Sequence, residues 1–288
     1  MTASRRVAVV TDSTPYLPPD LLERFDVRQV SLYVGWDGEL QREDAYDDLD
    51  AFYARLRDSP GLPTTSQPSV GDFVAVYEPL LAAGHDVASI HIASGLSGTC
   101  ESAREAARTL AEDGHEGRIE VLDARTGAGG LGCLVLAAAR AATDGADLDA
   151  TLTAAAGARD GLEMLFCLDT LEYLRRGGRI GAAQALLGSA LQIKPLLTFG
   201  TEIAPVGRVR TRRRAFDRMA AYLAELHASG VREWIVQHAQ SHEGAERLVD
   251  LGREVIGCDP LFCTQVGPVL GAHLGSGLLV GGLVPPRD

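Results

Sequence analysis

The sequence predicts an α/β protein of two units, the first a largely parallel sheet flanked by helices and the second a mixed sheet with helices. Three observations carry that expectation. Short β-branched runs alternate with helix-length patterns through the first half of the chain, as in a parallel sheet covered by helices. Two runs at 193–199 and 203–210 flank a Gly200-Thr201 turn, which reads as an antiparallel hairpin. The 288 residues exceed the roughly 100–200 of a typical single domain.

Taken in order, the first half offers a strand at 7–11, a helix at 20–25, a strand at 27–34, helices at 49–57 and 70–83, a strand at 87–93, a helix at 99–112, a strand at 119–123 and a helix at 131–142. The run Ser89-Ile90-His91-Ile92 does not alternate cleanly, as expected of a strand covered on both faces at or near the sheet centre. An Ala-rich helix from 148 to 162 leads into a strand at 164–169, and the expected boundary divides residues 1–157 from 158–288. Beyond it come a helix at 171–176 stopped by Gly177-Gly178, with the first glycine as left-handed cap, a helix at 180–191, the hairpin, a helix at 214–228, a strand at 233–238, a helix at 243–255 and a strand at 262–266. The uncharged stretch 266–284 is almost long enough to cross a bilayer, but it holds Pro268, His273, Ser276 and six glycines. Two buried strands around a turn fit it better.

Composition narrows the function. Acidic residues outnumber basic ones 39 to 27, for a net charge of −12, which disfavours whole-molecule binding to nucleic acid or anionic lipid. Cys100, Cys133, Cys167, Cys258 and Cys263 are odd in number and mostly set in apolar runs, so they read as reduced core thiols. Only four apolar residues follow Arg5 and Arg6, too few for a signal peptide, and the expected compartment is the cytoplasm.

Two polar clusters stand where strands are expected to end. Pro63-Thr64-Thr65-Ser66-Gln67-Pro68-Ser69 is dense in hydroxyls and held extended by its prolines. Ser94-Gly95-Leu96-Ser97-Gly98-Thr99 leaves a strand and opens a helix, presenting free N–H groups and a positive dipole end to an anion. Either loop alone could simply cap its helix through Ser66, Ser69 or Ser97; both together favour a carboxylate or phosphate site. Ser97 is no nucleophile elbow, because Thr99 replaces the required glycine.

Other constellations are weaker. Gly127-Ala128-Gly129-Gly130-Leu131-Gly132 matches G-x-G-x-x-G, but the nearby acids Asp144, Asp147 and Asp149 do not end a following strand. A nucleotide- or phosphate-ligand-binding enzyme using this loop is the alternative function, and tight helix packing is its bland counterpart. The single lysine, Lys194, follows Ile193, which excludes a Walker loop and leaves Schiff-base chemistry one residue to rest on. His238 and His242 fall on different expected elements, so they do not form a metal pair, and no metal site is expected. His91 reads as a hydrogen-bonded core histidine. His273 stands alone in an apolar, Gly-rich segment, where strand-like context could aim it into a cleft. Residues 175–214 carry Arg175, Arg176, Arg179, Lys194, Arg208, Arg210, Arg212, Arg213 and Arg214 against Glu202, a local net of +8. Such arginine density suits an acidic protein partner or a phosphate-bearing site, and an interaction protein built on this patch is a third reading.

The ordered motifs Thr65-Ser66-Gln67-Pro68-Ser69, Ser94-Gly95-Leu96-Ser97-Gly98-Thr99, Leu171-Glu172-Tyr173-Leu174-Arg175-Arg176-Gly177-Gly178-Arg179-Ile180, Ile193-Lys194-Pro195 and Gly267-Pro268-Val269-Leu270-Gly271-Ala272-His273 resemble those of the DegV family, with Asp12-Ser13-Thr14 as its opening motif. The resemblance covers essentially the whole chain. It implies a two-domain α/β protein holding a long-chain fatty acid in a cleft between the domains, as the fatty-acid-binding subunit of a bacterial fatty acid kinase. By motif, Thr65 and Ser97 correspond to hydroxyl donors to the acyl carboxylate, with Ser66 and Gly98 as neighbours and His273 as a further contact. Arg175 or Arg176 corresponds to a partner-facing arginine, and Arg210 with the rest of the 208–214 patch extends that surface. The Arg212-Arg213-Arg214 run is more basic than the family pattern. A chain of about fifteen buried methylenes would supply on the order of 12 kcal/mol gross, against about 1.5–3 kcal/mol for each hydrogen bond to a charged group. The tail would thus set affinity and the head group orientation. Phosphoryl transfer needs Mg²⁺ and a phosphate cradle, so ATP and Mg²⁺ would come from a partner kinase.

Overall fold

Two helix-covered sheets share one central apolar core. The computed structural model describes residues 5–187 and 193–285. The first sheet is wholly parallel, in the order β2 (Arg28–Val30), β1 (Arg6–Asp12), β6 (His85–His91), β7 (Ile119–Asp123). Successive β1 side chains point to opposite faces, and each face has its own cover. Val10 packs with Phe73 and Tyr77 of α3 (Val70–Ala82) and Ala103 and Leu110 of α4 (Thr99–Glu112). Val9 joins the core formed with α5 (Ala128–Thr143), against which α6 (Leu148–Asp160) lies. A small antiparallel sheet, β4 (Glu39–Arg42), β3 (Tyr33–Trp36), β5 (Thr64–Ser66), stands beside it. The short α1 (Pro19–Arg24) and α2 (Leu49–Asp58) complete this half, with Asp48 capping α2 through the Ala51 N–H.

The second sheet is mixed, in the order β10 (Ile203–Val209), β9 (Lys194–Phe199), β8 (Leu162–Leu168), β13 (Gly277–Leu283), β11 (Glu233–Ala239), β12 (Phe262–Gln265). Only the β11–β12 pair is parallel. Its outer face buries Leu165, Trp234 and Val280 under α8 (Arg212–Ala228) and α9 (His242–Ile256). Its inner face sends Met164, Phe166, Ile235 and Leu279 into the core that also receives Val9, Ile90 and Leu131. Helix α5 therefore lies between the two sheets, touching β1 and β6 on one side and β11 and β13 on the other. That position explains why Ala128–Ala139 is buried almost throughout.

Several local expectations change, the strand expected at 27–34 being divided between β2 of the parallel sheet and β3 of the small antiparallel one. The segment after Val266 is a helix, α10 (Pro268–Leu274), followed by β13, rather than two strands. Every residue of α10 is buried, so it lacks the polar stripe by which an amphipathic helix is recognised. After α7 (Glu172–Arg176), Gly178 takes the left-handed conformation at φ +71°, whereas Gly177 stays right-handed. The helix expected at 180–191 is a 3-10 helix over Gly181–Leu186, and residues 188–192 lie outside the described part. No helix among the described residues is long and apolar enough to cross a membrane.

Candidate functional site

The two polar loops and the C-terminal His273 converge on one cavity. Thr65 is the middle residue of β5, held opposite Val34 of β3. Pairing leaves its side chain half-buried between the exposed Thr64 and Ser66. Ser97 comes from the turn between β6 and α4. That turn is anchored beneath by Asp12, whose Oδ2 accepts the Ile92 N–H at 2.9 Å and faces His91 Nδ1 at 3.1 Å. Burial pushes the Asp12 carboxyl up, but the bonds from His91, Thr14 and Ile92 outweigh it and hold the group below its ordinary range. The His91 ring continues to Ser89 at 2.6 Å and through it to Tyr77, so it is the hydrogen-bonded core histidine expected.

Close approaches fix the turn. A Cβ on Gly95 would lie 1.9 Å from the Thr201 carbonyl oxygen in the β9–β10 hairpin, and one on Gly98 2.2 Å from Gln67 Oε1. Glycine at these two positions lets the Ser97 turn nest between the Gln67 side chain and the second sheet. The capping alternative applies to Ser69, which forms a reciprocal box with Asp72. It does not apply to Ser97, which shares a 2.8 Å hydrogen bond with Thr99 Oγ1 while Gly98 occupies the cap.

The cavity is about 170 Å³ and lies at the seam between the two halves. Its polar lining is Thr65, Ser66, Gln67, Ser97, Arg179 and His273. Leu32, Ile92, Leu96, Phe199, Ile203 and Leu270 give it an apolar lining drawn from both halves. His273, 9% exposed, places Nε2 2.7 Å from Thr65 Oγ1. Its Nδ1 has no partner, because it faces Gly177, where a Cβ would sit 2.3 Å away. Burial first, and the Arg179 charge second, push the ring down to about 4, so it is neutral near pH 7. A neutral ring with its proton on Nε2 leaves only an acceptor unpaired, which costs less than an orphaned N–H. Thr65 then accepts from the ring and its own O–H is free to donate into the cavity.

Among the described lining residues, Arg179 alone carries a fixed charge. It bonds the Gly177 carbonyl at 2.9 Å and reaches the Leu96 carbonyl at 3.5 Å. Sequence reasoning placed it in a basic stretch and in the Leu171–Ile180 motif without giving it a role. The signal available was the Gly177-Gly178 turn, which reverses the chain after α7 and separates Arg179 from its neighbours.

Those neighbours lie elsewhere. Arg175 is exposed and paired with Glu172, Arg176 bonds the Pro60 carbonyl, and Arg210 is exposed after β10; none lines the cavity. Lys194 and Arg212 both bind Asp169, at 2.7 and 2.6 Å, so part of the basic stretch is neutralised by an acid outside it. The Gly127–Gly132 segment forms the start of α5, fully buried. Gly129 donates its N–H to Gln237 Oε1 at 2.6 Å, and a Cβ there would meet Ile235 at 2.2 Å, so the glycines serve tight helix packing. His238 is the penultimate residue of β11 and His242 opens α9, their rings 4.4 Å apart. No cluster of metal-ligating side chains is present among the described residues.

Comparison with known proteins agrees with this architecture. The sequence profile of the uncharacterised DegV protein family matches residues 6–284. The chain is 34% identical to Protein DegV of Bacillus subtilis over 278 residues, covering 95% of this chain and 97% of that one. It is 39% identical to a DegV domain-containing protein of Streptomyces coelicolor over 279 residues, covering 96% and 97%. The crystal structure of DegV from B. subtilis, described as a fatty acid binding protein, superposes with a TM-score of 0.85 at 32% identity, covering 97% of this chain and 100% of that one. A DegV family protein from Thermus thermophilus, described by its fatty acid binding, gives 0.84 at 32% identity, covering 96% and 99%. On the strength of a profile and relatives that span nearly its whole length, the chain is a member of the DegV family.

Proposed function

We propose that the chain binds a long-chain fatty acid and presents its carboxylate to a separate ATP-dependent kinase subunit for acyl-phosphate formation. The observation that carries the binding step is a seam cavity that gathers hydroxyls, an imidazole and the Arg179 guanidinium at one place in a largely apolar lining. Relatives described as fatty acid binding proteins support the same ligand class. In this reading Thr65 and Ser97 donate to the carboxylate. The neutral His273 orients Thr65, and Arg179 supplies the charge complement. Residues 1–157 and 158–288 would act as two domains with the ligand between them.

A volume of about 170 Å³ is below the roughly 300–1,000 Å³ of most small-molecule sites. The head group thus has a prepared seat, and a long tail would part apolar side chains such as Leu96, Phe199 and Leu274 to enter. Each methylene that does so contributes about 0.8 kcal/mol, which offsets that rearrangement. Phosphoryl transfer needs Mg²⁺ and a nucleotide-phosphate cradle, which belong to the partner in this reading. Arg175, Arg176 and Arg210 lie outside the cavity and exposed, which suits them to contact that partner.

The test is mass spectrometry of an organic extract of the purified chain, which should release a long-chain acid. Extracts empty of lipid across several preparations would overturn the reading. Ser97→Ala should lower acyl-phosphate formation in the presence of the kinase subunit while leaving the fold intact.

A further inference from the structure

The helix that carries His273 is held from its other end by a buried carboxylate on the far side of the sequence. Glu43, 5% exposed, lies on the 3-10 turn Glu43–Ala45. Its Oε1 accepts the Val269 N–H at 2.7 Å and the Tyr16 O–H at 2.9 Å, and its Oε2 accepts the Ser13 O–H. The Tyr16 hydroxyl in turn accepts the Leu270 N–H at 3.1 Å. Tyr53 donates to the Val266 carbonyl at 2.9 Å, just before α10 begins. A Cβ on Gly267 would lie 2.5 Å from the Tyr16 ring, so the chain enters α10 pressed against this cup. Pro268 at the first helical position has no N–H, and the next two N–H groups are those that Glu43 and Tyr16 take.

From this geometry we infer that Glu43 is a positioning residue for the cavity: by gripping the first turn of α10 it sets where His273 meets Thr65. The inference rests on the proposed carrier function for its consequence, but its structural core does not. All three groups that contact the Glu43 carboxylate are donors, and Ser13 Oγ already accepts the Leu32 N–H at 3.1 Å. Protonation therefore forces one of those bonds to break or reverse. The titratable groups facing Glu43 are Asp12 from β1, Tyr16 from the following loop and Tyr53 from α2, with His273 at the opposite end of α10. Burial, reinforced by the Glu43 charge, keeps both tyrosines protonated above their ordinary range. Burial also pushes Glu43 up to about 7, against the bonds from Ser13, Val269 and Tyr16. The grip is firmest above that pH and loosens below it.

The test follows the His273 ring by NMR in the ligand-free full chain between about pH 6 and pH 8, in the wild type and in Glu43→Gln. The ring does not itself titrate there, so a movement of its resonances centred near pH 7 in the wild type, and its loss in Glu43→Gln, is the expected result. A flat wild-type response, or the same movement in the variant, overturns the inference. If Glu43→Gln does not fold, Tyr16→Phe, which removes the hydroxyl between Glu43 and Leu270, must shrink the movement; an unchanged response overturns the inference equally. With palmitate as probe, the wild-type to variant affinity ratio should fall by about tenfold on acidification, the equivalent of one hydrogen bond. Failure of palmitate to bind the wild type at any pH would sink the carrier reading, while the ring movement still decides the role of Glu43.

Discussion

Two strand-turn-helix junctions in this molecule look alike in sequence and do different work. The first, Ser94–Thr99, leaves β6 for α4; the second, Thr126–Gly132, leads from β7 into α5. Both are glycine-rich, and both place a helix N-terminus after a parallel strand. In the first, Gly95 and Gly98 admit Thr201 and Gln67 from the flanks, and Ser97 is left lining a cavity. In the second, Gly129 and Gly132 admit Ile235 and Phe262 from the second sheet, and the start of α5 is buried. A glycine pattern marks close approach; what approaches decides whether a site or a packed core results.

Substitutions and acidity should break this pairing in opposite ways. The largest effects are expected from titration. His273, held down to about 4 from an ordinary 6.5, contributes stability that is complete above pH 6.5 and lost as pH falls toward 4. Glu43, raised from 4.5 to about 7, contributes stability that is complete below pH 4.5 and lost as pH rises to 7. Each contribution is worth about 3 kcal/mol, and their windows overlap. Urea unfolding across pH should therefore show His273→Gln tilting the profile toward acid stability and Glu43→Gln tilting it toward alkaline stability; parallel profiles would refute both assignments.

Gly129→Leu should cost about 3 kcal/mol of folding stability by overpacking the α5–β11 contact, read as a lower urea midpoint. Ser97→Ala should do the reverse, leaving that midpoint nearly unchanged but weakening palmitate binding by about 2 kcal/mol, or roughly thirtyfold. If Ser97→Ala lowers the urea midpoint and leaves affinity untouched, the first junction is structural too. Smallest in stability terms is Arg210→Glu, expected to stay within about 0.5 kcal/mol of the wild type. On the proposed carrier function it should keep palmitate affinity and lower acyl-phosphate formation with a partner kinase, which would separate the exposed arginines from the cavity.

Much of this was legible in the chain. The helix at 99–112 coincides with α4, and the hairpin falls where its turn residues put it, because caps and turns are local. Thr65, Ser97 and His273 were all singled out and all line one cavity. Arg179 was not separated from Arg175 and Arg176 although the Gly177-Gly178 pair ends the helix between them; the direction the chain then takes depends on the left-handed conformation of Gly178. Glu43 had no signal at all, because a carboxylate in an acidic surface-like stretch carries no mark of being buried. The strand reading around His273 failed because a helix enclosed on every side has no period to show.

By itself the sequence determined most of the strand and helix alternation, the hairpin at 193–210 and the polarity of the two loops, which depend largely on neighbours a few residues away. Only the tertiary structure decided that Thr65 meets His273 across 208 positions, that the second glycine cluster is filled by the β11 side chains, and that Glu43 grips α10. Those outcomes depend on which surfaces lose water together. That is a property of the packed chain and not of any segment of it.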